Sequence, residues 1–475
     1  MIRPNCNAGV FPMVLNEVFK DYLEEAIGKD NSLVAFSAFE RPASSSVRVN
    51  PFKSGPVPEG REVPWNRHGR ILAQRPVFTL DPSFHGGAYY VQDSSSMFVG
   101  HVFRQLVKSA VADLGNERPV RVLDLCAAPG GKTTDLAASL REMFGDRFVL
   151  VSNEVMKQRA AVLADNAALW GDPNVVVTSD DPRAFAQLES FFDVIVADVP
   201  CSGEGMFRKD EEAQRQWSVE NVSLCEARQK RIVADVWHAL KTGGLFIYST
   251  CTFNRYENDG NLSWMIDELG AAPVLKDDII SASKGVLKTE YGYSLVPGFV
   301  EGEGQYCSAV RKVVECAGSC SMQSARHGKP VARLQPDLLR DMFTVEMAFR
   351  QKGDLITAVP VNILPDVEIL ERHLHVLSAG CATGTFKGKD FVPDADLALC
   401  IAFRKDFYEV AEVSSDLALA YLHKDPICLP DHPKGFVLIS YKGVPLGFVK
   451  NLGNRCNSLH PQHRRIRMDV GTISR

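Results

Sequence analysis

Short apolar runs alternate with longer stretches of helical periodicity through the middle of this chain. Arg121-Val122-Leu123-Asp124-Leu125, Phe148-Val149-Leu150-Val151-Ser152, Asn174-Val175-Val176-Val177, Phe192-Asp193-Val194-Ile195-Val196-Ala197 and Gly244-Leu245-Phe246-Ile247-Tyr248 predict successive buried strands. Thr134 to Phe144 and Lys157 to Trp170 are rich in Ala and Leu and free of breakers, as crossover helices are. The alternation predicts an α/β core with a parallel sheet covered by helices. Upstream, a helix is expected over Val14 to Ile27, followed by polar connections through Pro42, Pro51, Pro56, Pro58 and Pro64 that suit a small α+β accessory domain. Downstream, Ala317 to Ser324 is a linker by composition, and Gly435 to Lys450 alternates apolar and polar positions around Lys442-Gly443, predicting a hairpin in a β-rich module. The expected divisions are 1–112, 113–314, a linker at 315–330, and 331–475. No internal repeat is visible.

A length of 475 residues calls for two or three cores, and 45% apolar with 23% charged residues is ordinary for a globular protein. No run reaches the roughly 20 apolar residues that span a bilayer, and Pro4, Asn5 and Asn7 interrupt the start, so no membrane and a cytoplasmic location are expected. The 12 cysteines lack the spacing of a disulfide scaffold and are expected to be reduced. Net charge is −5, yet from Pro430 onward three Lys and five Arg stand against two Asp. That basic end suits a polyanionic partner, and a merely solvated basic surface equally.

Asp124-Leu125-Cys126-Ala127-Ala128-Pro129-Gly130-Gly131-Lys132-Thr133 leaves a strand and enters a helix. Small residues there let a ligand approach the backbone, and free N–H groups at a helix start favour its anionic parts. Cys126 holds the place of the first glycine of a phosphate-binding P-loop, so that pattern is not met. Glu154 ends the second strand, where a carboxylate can accept from ribose hydroxyls; Asp181 follows the third and can meet an adenine amino group. A helix-capping role serves either carboxylate too. The fourth strand ends in Asp198-Val199-Pro200-Cys201-Ser202-Gly203-Glu204-Gly205, and the fifth in Ser249-Thr250-Cys251-Thr252. A single strand-end cysteine is usually packing; two on the edge that carries the cofactor loop, beside Asp198, are a candidate reactive site.

The runs Ala127 to Thr133, Pro200 to Gly205 and Ser249 to Thr252, in this order, resemble the RNA 5-methylcytosine methyltransferases of the Nol1/Nop2/Sun family. The likeness extends to Ser46 to Pro51, Tyr89 to Ser96 and Gly302 to Gly304, and with the basic tail it is strongest to the bacterial branch acting on 16S ribosomal RNA. Val199 replaces the usual alanine, and Gln305-Tyr306-Cys307 stands where paired aromatics are common.

The resemblance implies a Rossmann-like class I methyltransferase core using S-adenosyl-L-methionine. It further implies an N-terminal RNA-binding domain and a C-terminal RNA-binding region ending in a PUA-like module. Cys126, Ala127, Ala128, Pro129, Gly130, Gly131, Lys132, Glu154, Asp181 and Asp198 would line the cofactor and substrate site. Cys251 would be the nucleophile, Cys201 the helper thiol and Asp198 the partner of the cytosine ring.

Arg208 and Lys209 suit contact with an extruded nucleotide, and as an exposed charged helix start they would look the same. Lys387, Lys389, Lys442, Lys450, Arg455, Arg464, Arg465 and Arg467 would grip phosphates, and loss of residues 330–475 is expected to spare the cofactor site. A monomer acting on small-subunit RNA, with no metal, is expected; Cys316 and Cys320 have no second ligand pair. A transfer-RNA methyltransferase, a nucleotide-dependent kinase and a non-enzymatic ribosome-assembly protein are the alternatives.

Overall fold

Asn16 accepts a hydrogen bond from the Val18 amide and so starts helix α1 (Glu17–Ile27), the expected first helix; α2 (Lys29–Phe39) follows. The computed structural model describes residues 16–468 except 116–117, 275, 282–283, 314–331, 335–336 and 389. The linker expected at Ala317 to Ser324 and the pair Cys316 and Cys320 lie outside the described residues. Strands β1 (Ser45–Val49), β2 (Arg61–Val63), β3 (Asn66–Leu72) and, beyond the short α3 (Pro82–His85), β4 (Tyr89–Val91) make an antiparallel sheet in the order β2-β3-β1-β4. Helix α4 (Met97–Ala110) then crosses to the central sheet, where Phe98, Val102, Phe103 and Leu106 are fully buried against α5 (Gly131–Phe144) and strands β5 (Val120–Asp124) and β6 (Phe148–Asn153).

The apolar runs of the middle segment form the strands they predict. With α6 (Lys157–Trp170), β7 (Val175–Thr178), β8 (Phe192–Asp198), α7 (Glu211–Gln216), α8 (Val219–Trp237), β9 (Leu240–Thr250), α9 (Asp259–Leu269), β10 (Ala271–Pro273), α10 (Asp278–Ser281), β11 (Leu287–Lys288), β12 (Tyr293–Leu295) and β13 (Gln305–Lys312), they build one twisted sheet. Its order is β11-β12-β13-β9-β8-β5-β6-β7, with β5 to β9 parallel and β13 antiparallel to β9. Alternate residues serve opposite faces: Val122, Val194 and Ile247 pack under α4 and α5, while Leu123, Ile195 and Phe246 pack under α8 and α9. This is the class I methyltransferase architecture. Chain order reverses between β5 and β8, which opens a crevice at their carboxyl ends.

The C-terminal region holds β14 (Ala332–Leu334), α11 (Asp337–Arg340), β15 (Met347–Lys352), β16 (Leu355–Pro360), α12 (Leu364–His373), β17 (Val376–Ala379), β18 (Cys381–Lys387), β19 (Asp390–Pro393) and α13 (Ala395–Leu399). It ends with β20 (Glu409–Glu412), α14 (Ser415–His423), β21 (Gly435–Tyr441), β22 (Val444–Asn451) and β23 (Cys456–Ser458). β14-β15-β16-β18-β19 and β20-β21-β22-β23 are separate sheets. The β21–β22 hairpin turns at Lys442-Gly443, both at positive φ, as a tight two-residue connection requires.

The C-terminal region is not a detachable tail. β17 pairs antiparallel with β7 and extends the catalytic sheet, and Ile363, Leu364, Val367, Leu370 and Leu374 share one core cluster with Leu123 and Phe185. Arg121 and Asp366 form an ion pair of 2.6 Å across the same boundary. These contacts tie residues 330–475 to the sheet that carries the cofactor site, against the expectation that their loss would spare it.

Arg464 also departs from its expected role. Its side chain is 8% exposed and pairs with Asp165 of α6 at 2.6 Å and Asp396 of α13 at 2.7 Å, so it fastens two regions rather than facing phosphate. Lys450 lies 3.6 Å from Asp390, and Arg465 is half-buried. Lys387, Lys442, Arg455 and Arg467 are exposed, and Lys389 lies outside the described residues.

Deleting residues 330–475 exposes that apolar cluster and the β7 edge. We expect the truncated chain to melt at a lower temperature and to bind S-adenosylhomocysteine more weakly than the full chain, read by calorimetry; equal affinity and melting would show that the two regions are independent.

Candidate active site

The loop from β5 into α5 is held from several sides. The Leu125 amide donates to Val196 O, Ala127 to Asn153 O and Gly130 to Ala127 O, each at 2.8 to 2.9 Å. Gly130 has φ +113°, a conformation that a side chain disfavours, and it lets α5 begin with its amides facing the crevice. Arg48 of β1, 1% exposed, lies 4.6 Å over the Trp170 ring and donates to Gly131 O and Thr134 Oγ1. Tyr90 and Asn166 both donate to Pro129 O. The upstream stretches that share the family likeness therefore buttress this loop. Burial pushes the Cys126 thiol up. Asp124 accepts from Thr133 at 2.7 Å, and burial pushes it up to about 7.

At the second strand end the Glu154 carboxylate is 4% exposed. It accepts from the Met156 amide at 2.9 Å and faces Arg159 at 3.2 Å, while Arg159 also donates to Ala128 O. Arg159 thereby joins Glu154 to the cofactor loop. Asn153 accepts from the Asp180 amide and donates to both Asp180 O and Leu125 O, tying the second and third strand ends together. His375, just before β17, donates its amide to the Asp180 carboxylate at 2.7 Å and accepts from the Ser179 amide. Asp181 is a cap: it accepts from the Arg183 amide at the start of a short 3-10 helix, is 47% exposed, and faces Arg231 at 3.9 Å. Its contacts set it apart from the web joining Glu154 to the loop.

The two reactive-site cysteines meet. Cys201 Sγ and Cys251 Sγ are 3.0 Å apart, and the hydrogen bond to Cys251, aided by burial, holds the Cys201 thiol well above its ordinary range. Their loops interlock where the Gly205 amide donates to Cys251 O at 2.8 Å, and a Cβ on Gly205 would crowd that oxygen at 3.0 Å. Two buried acids sit beneath. Glu204 accepts from Trp217, the Phe253 amide and both nitrogens of Asn254. Glu257 accepts from the Ser202 amide, Gln229 and Asn254, and burial pushes it up to about 7. Sequence reasoning missed Asn153, Arg159, Glu257 and the structural work of Glu204. Only the polar residues next to the motifs signalled them.

Asp198 lies beside the thiols, with three donors converging on its carboxylate. Lys132 reaches Oδ2 at 2.8 Å, and Ser249 and Gln305 reach Oδ1 at 2.7 and 3.0 Å. Burial opposes the Lys132 charge, but Asp198 outweighs it and holds the ammonium above the usual lysine range. Arg208 takes neither role read for it: it is 7% exposed and bonds Glu303 at 2.8 Å and Gly302 O at 2.9 Å. Lys209 faces Asp93 at 3.3 Å and Glu303 at 3.6 Å. Both side chains brace the wall of the crevice against Gly302 to Gly304 and the segment after β4.

Three family models match this chain in sequence: the N-terminal domain of 16S rRNA methyltransferase RsmF over residues 15–94, 16S rRNA methyltransferase RsmB/F over 112–311, and the methyltransferase RsmF PUA domain over 408–466. A methyltransferase homologue from Pyrococcus horikoshii shares the fold, with a TM-score of 0.51 and 24% identity over 63% of this chain and 95% of that one. Ribosomal RNA small subunit methyltransferase F of Aliivibrio fischeri (strain MJ11) is 29% identical, covering 94% of this chain and 97% of that protein. Its Klebsiella pneumoniae (strain 342) counterpart is 34% identical, covering 90% of this chain and 91% of its own. With that identity over nearly its whole length, the chain belongs to the ribosomal RNA small subunit methyltransferase F family.

Proposed function

We propose that this protein transfers the methyl group of S-adenosyl-L-methionine to carbon 5 of a cytosine in 16S ribosomal RNA, through a covalent adduct to Cys251. The 3.0 Å contact between the Cys201 and Cys251 sulfurs, beside Asp198, carries this reading. Thiol pairs that serve only packing do not require two interlocked loops beside an ion-paired carboxylate.

The crevice suits the cofactor's chemistry. Glu154 offers carboxylate oxygens at the end of β6 for a ribose diol, and the amides at the start of α5 offer donors to a carboxylate. Asp124 Oδ1 is buried without a hydrogen-bond partner in the structure and is available to a cationic group. Asp181 supplies the adenine side as far as its capping role leaves its second oxygen free. When bound, the cofactor supplies an electrophilic methyl group on a sulfonium.

Cytosine carbon 5 is too weak a nucleophile to take that methyl unaided. Addition of the Cys251 thiolate to carbon 6 forms the sulfur–carbon bond and moves the carbon 5–carbon 6 electron pair toward ring nitrogen 3, leaving carbon 5 nucleophilic. Asp198, held by Lys132 at 2.8 Å, stabilises the charge arriving at nitrogen 3 through a proton shared between its carboxyl group and that nitrogen, which returns to the carboxyl group as the ring is restored. After carbon 5 forms its bond to the methyl, the carbon 5 proton must leave and the carbon 6–sulfur bond must break. Cys201 assists this elimination: the carbon 5 proton passes to base and on to solvent, and Cys251 departs as the thiolate with which it began.

The target base must leave its stack to reach a crevice walled by Arg208, Glu303 and Lys209. The exposed Lys387, Lys442, Arg455 and Arg467 then serve phosphates. By family role the protein works in the cytoplasm; among the described residues no helix is long and apolar enough to cross a membrane.

Cys251→Ala should abolish methyl incorporation, while Cys201→Ala should complete transfer but accumulate a protein–RNA adduct visible on denaturing gels. Normal turnover by Cys251→Ala would remove the nucleophile assignment. In cells, base-resolved bisulfite sequencing with and without the gene should show loss of one cytosine mark in 16S ribosomal RNA. Loss of a transfer-RNA mark alone would keep the chemistry and replace the substrate.

A further inference from the structure

Gln305 opens β13, the strand that pairs with the one carrying Cys251, and its side chain is buried at 2% exposure. In the β13–β9 ladder Tyr306 faces Thr250 and Cys307 faces Ser249, so Gln305 falls where the ladder ends beside Cys251. The two hydrogens of its side-chain nitrogen go to different places. One is donated to Asp198 Oδ1 at 3.0 Å, the other to the carbonyl of Thr250, the residue before Cys251, at 2.9 Å. A single planar amide thus spans the strand end that carries the carboxylate and the backbone that carries the thiol.

The other two donors to Asp198 do not make this link. Lys132 comes from α5 and also donates to Ser96, and Ser249 comes from within β9; neither reaches the backbone at Cys251. Without the Gln305 nitrogen, Oδ1 keeps only the Ser249 hydroxyl and the Thr250 carbonyl loses its side-chain donor. The carboxylate is then free to turn about its terminal torsion, which is broad in aspartate.

We propose that Gln305 is a positioning residue for methyl transfer: it locks the Asp198 carboxylate to the peptide of Cys251, so that the group facing the cytosine ring and the nucleophile keep one separation. This rests on the reading of Asp198 and Cys251 given above. Gln305 itself need not touch the base. A misplacement of either group by a fraction of an ångström slows the chemical step and leaves the binding of cofactor and of RNA alone.

The test uses the full-length protein, a 16S ribosomal RNA transcript, and the same transcript made with 5-fluorocytidine, whose fluorine prevents the last elimination and traps the adduct. Gln305→Met fills the space without a donor. Its single-turnover methyl transfer and its adduct formation should both fall about tenfold or more, the worth of one hydrogen bond to a charged group, with the RNA KM and the S-adenosylhomocysteine Kd within about twofold of wild type. Gln305→Glu should be as slow near neutral pH. Its rate relative to wild type should rise as the pH is lowered, because the introduced carboxyl group, once protonated, regains an O–H donor toward Asp198.

The charges facing that site are Asp198 and Lys132, with the Cys201 and Cys251 thiols beside them. Asp198 makes protonation of the introduced carboxylate easier and Lys132 makes it harder. Unchanged rates in Gln305→Met would overturn the proposal. So would losses matched by equal changes in melting temperature and cofactor affinity, or a relative rate of Gln305→Glu that ignores pH. Failure of the underlying reading is separable, since wild-type protein would then form no adduct with the fluorinated transcript.

Discussion

The ion pair of Lys132 and Asp198 spans the crevice where the order of the parallel strands reverses, and the other parts of the site are arranged about it. Lys132 belongs to the first turn of α5, Asp198 to the last residue of β8, and each would be costly to bury alone. Together they fix the distance between the cofactor loop and the strand that leads to Cys201. Ser96, after β4, also accepts from Lys132 at 3.0 Å, so the N-terminal region has a hold on the pair. Ser249 and Gln305 complete the carboxylate from the opposite side. A charge held by donors from α5, β9 and β13 has little freedom to move, which is what preorganised catalysis requires.

The outer regions contribute more to the crevice than their sequences suggest. Arg48 and Tyr90 support the backbone of the cofactor loop, and the segment at His375 supports the turn after β7. The cofactor edge is built from three stretches of chain distant in sequence, so stability of the whole and geometry of the site are one property. The buried contacts of Arg464 with Asp165 and Asp396 extend that dependence to the last described residues.

The core strands and crossover helices were legible because a doubly covered parallel strand must be apolar throughout, a pattern with few alternatives. β17 was not, for the opposite reason. Val376, Leu377, Ser378 and Ala379 form an edge strand that is half-buried or exposed along its length, and its pairing with β7 is made by backbone groups that carry no side-chain signature. Arg464 was misread because a basic residue on a basic segment looks alike whether its partner is a phosphate or a distant Asp165. Arg208, which reads as an exposed charge, is buried by a partner just as distant, Glu303 lying 95 residues on. In the site, the loop, Glu154, Asp198 and both cysteines were visible as residue types at strand ends. The donors around them were not, because hydrogen-bond partners are set by tertiary distance.

Glu204 and Glu257 bear on why the two thiol loops need so much buried polarity. The Cys201 and Cys251 segments are irregular backbone below the surface, and their amides must find acceptors or cost about 1–3 kcal/mol each. Glu204 satisfies the amides of Phe253 and Asn254, just past Cys251, and Glu257 that of Ser202, just past Cys201. Each acid also bonds Asn254, which joins the two sets. A carboxylate with two oxygens and several lone pairs can take more of these donors than an amide or hydroxyl of the same size. Burial raises the cost of such an acid, as the displacement of Glu257 to about 7 shows, and the fold bears that cost where two loops must hold their sulfur atoms 3.0 Å apart. An apolar floor of equal volume would pack well but leave the amides without acceptors and the loops without a fixed register. The buried acids are therefore the structural requirement for keeping the two thiols at a single distance.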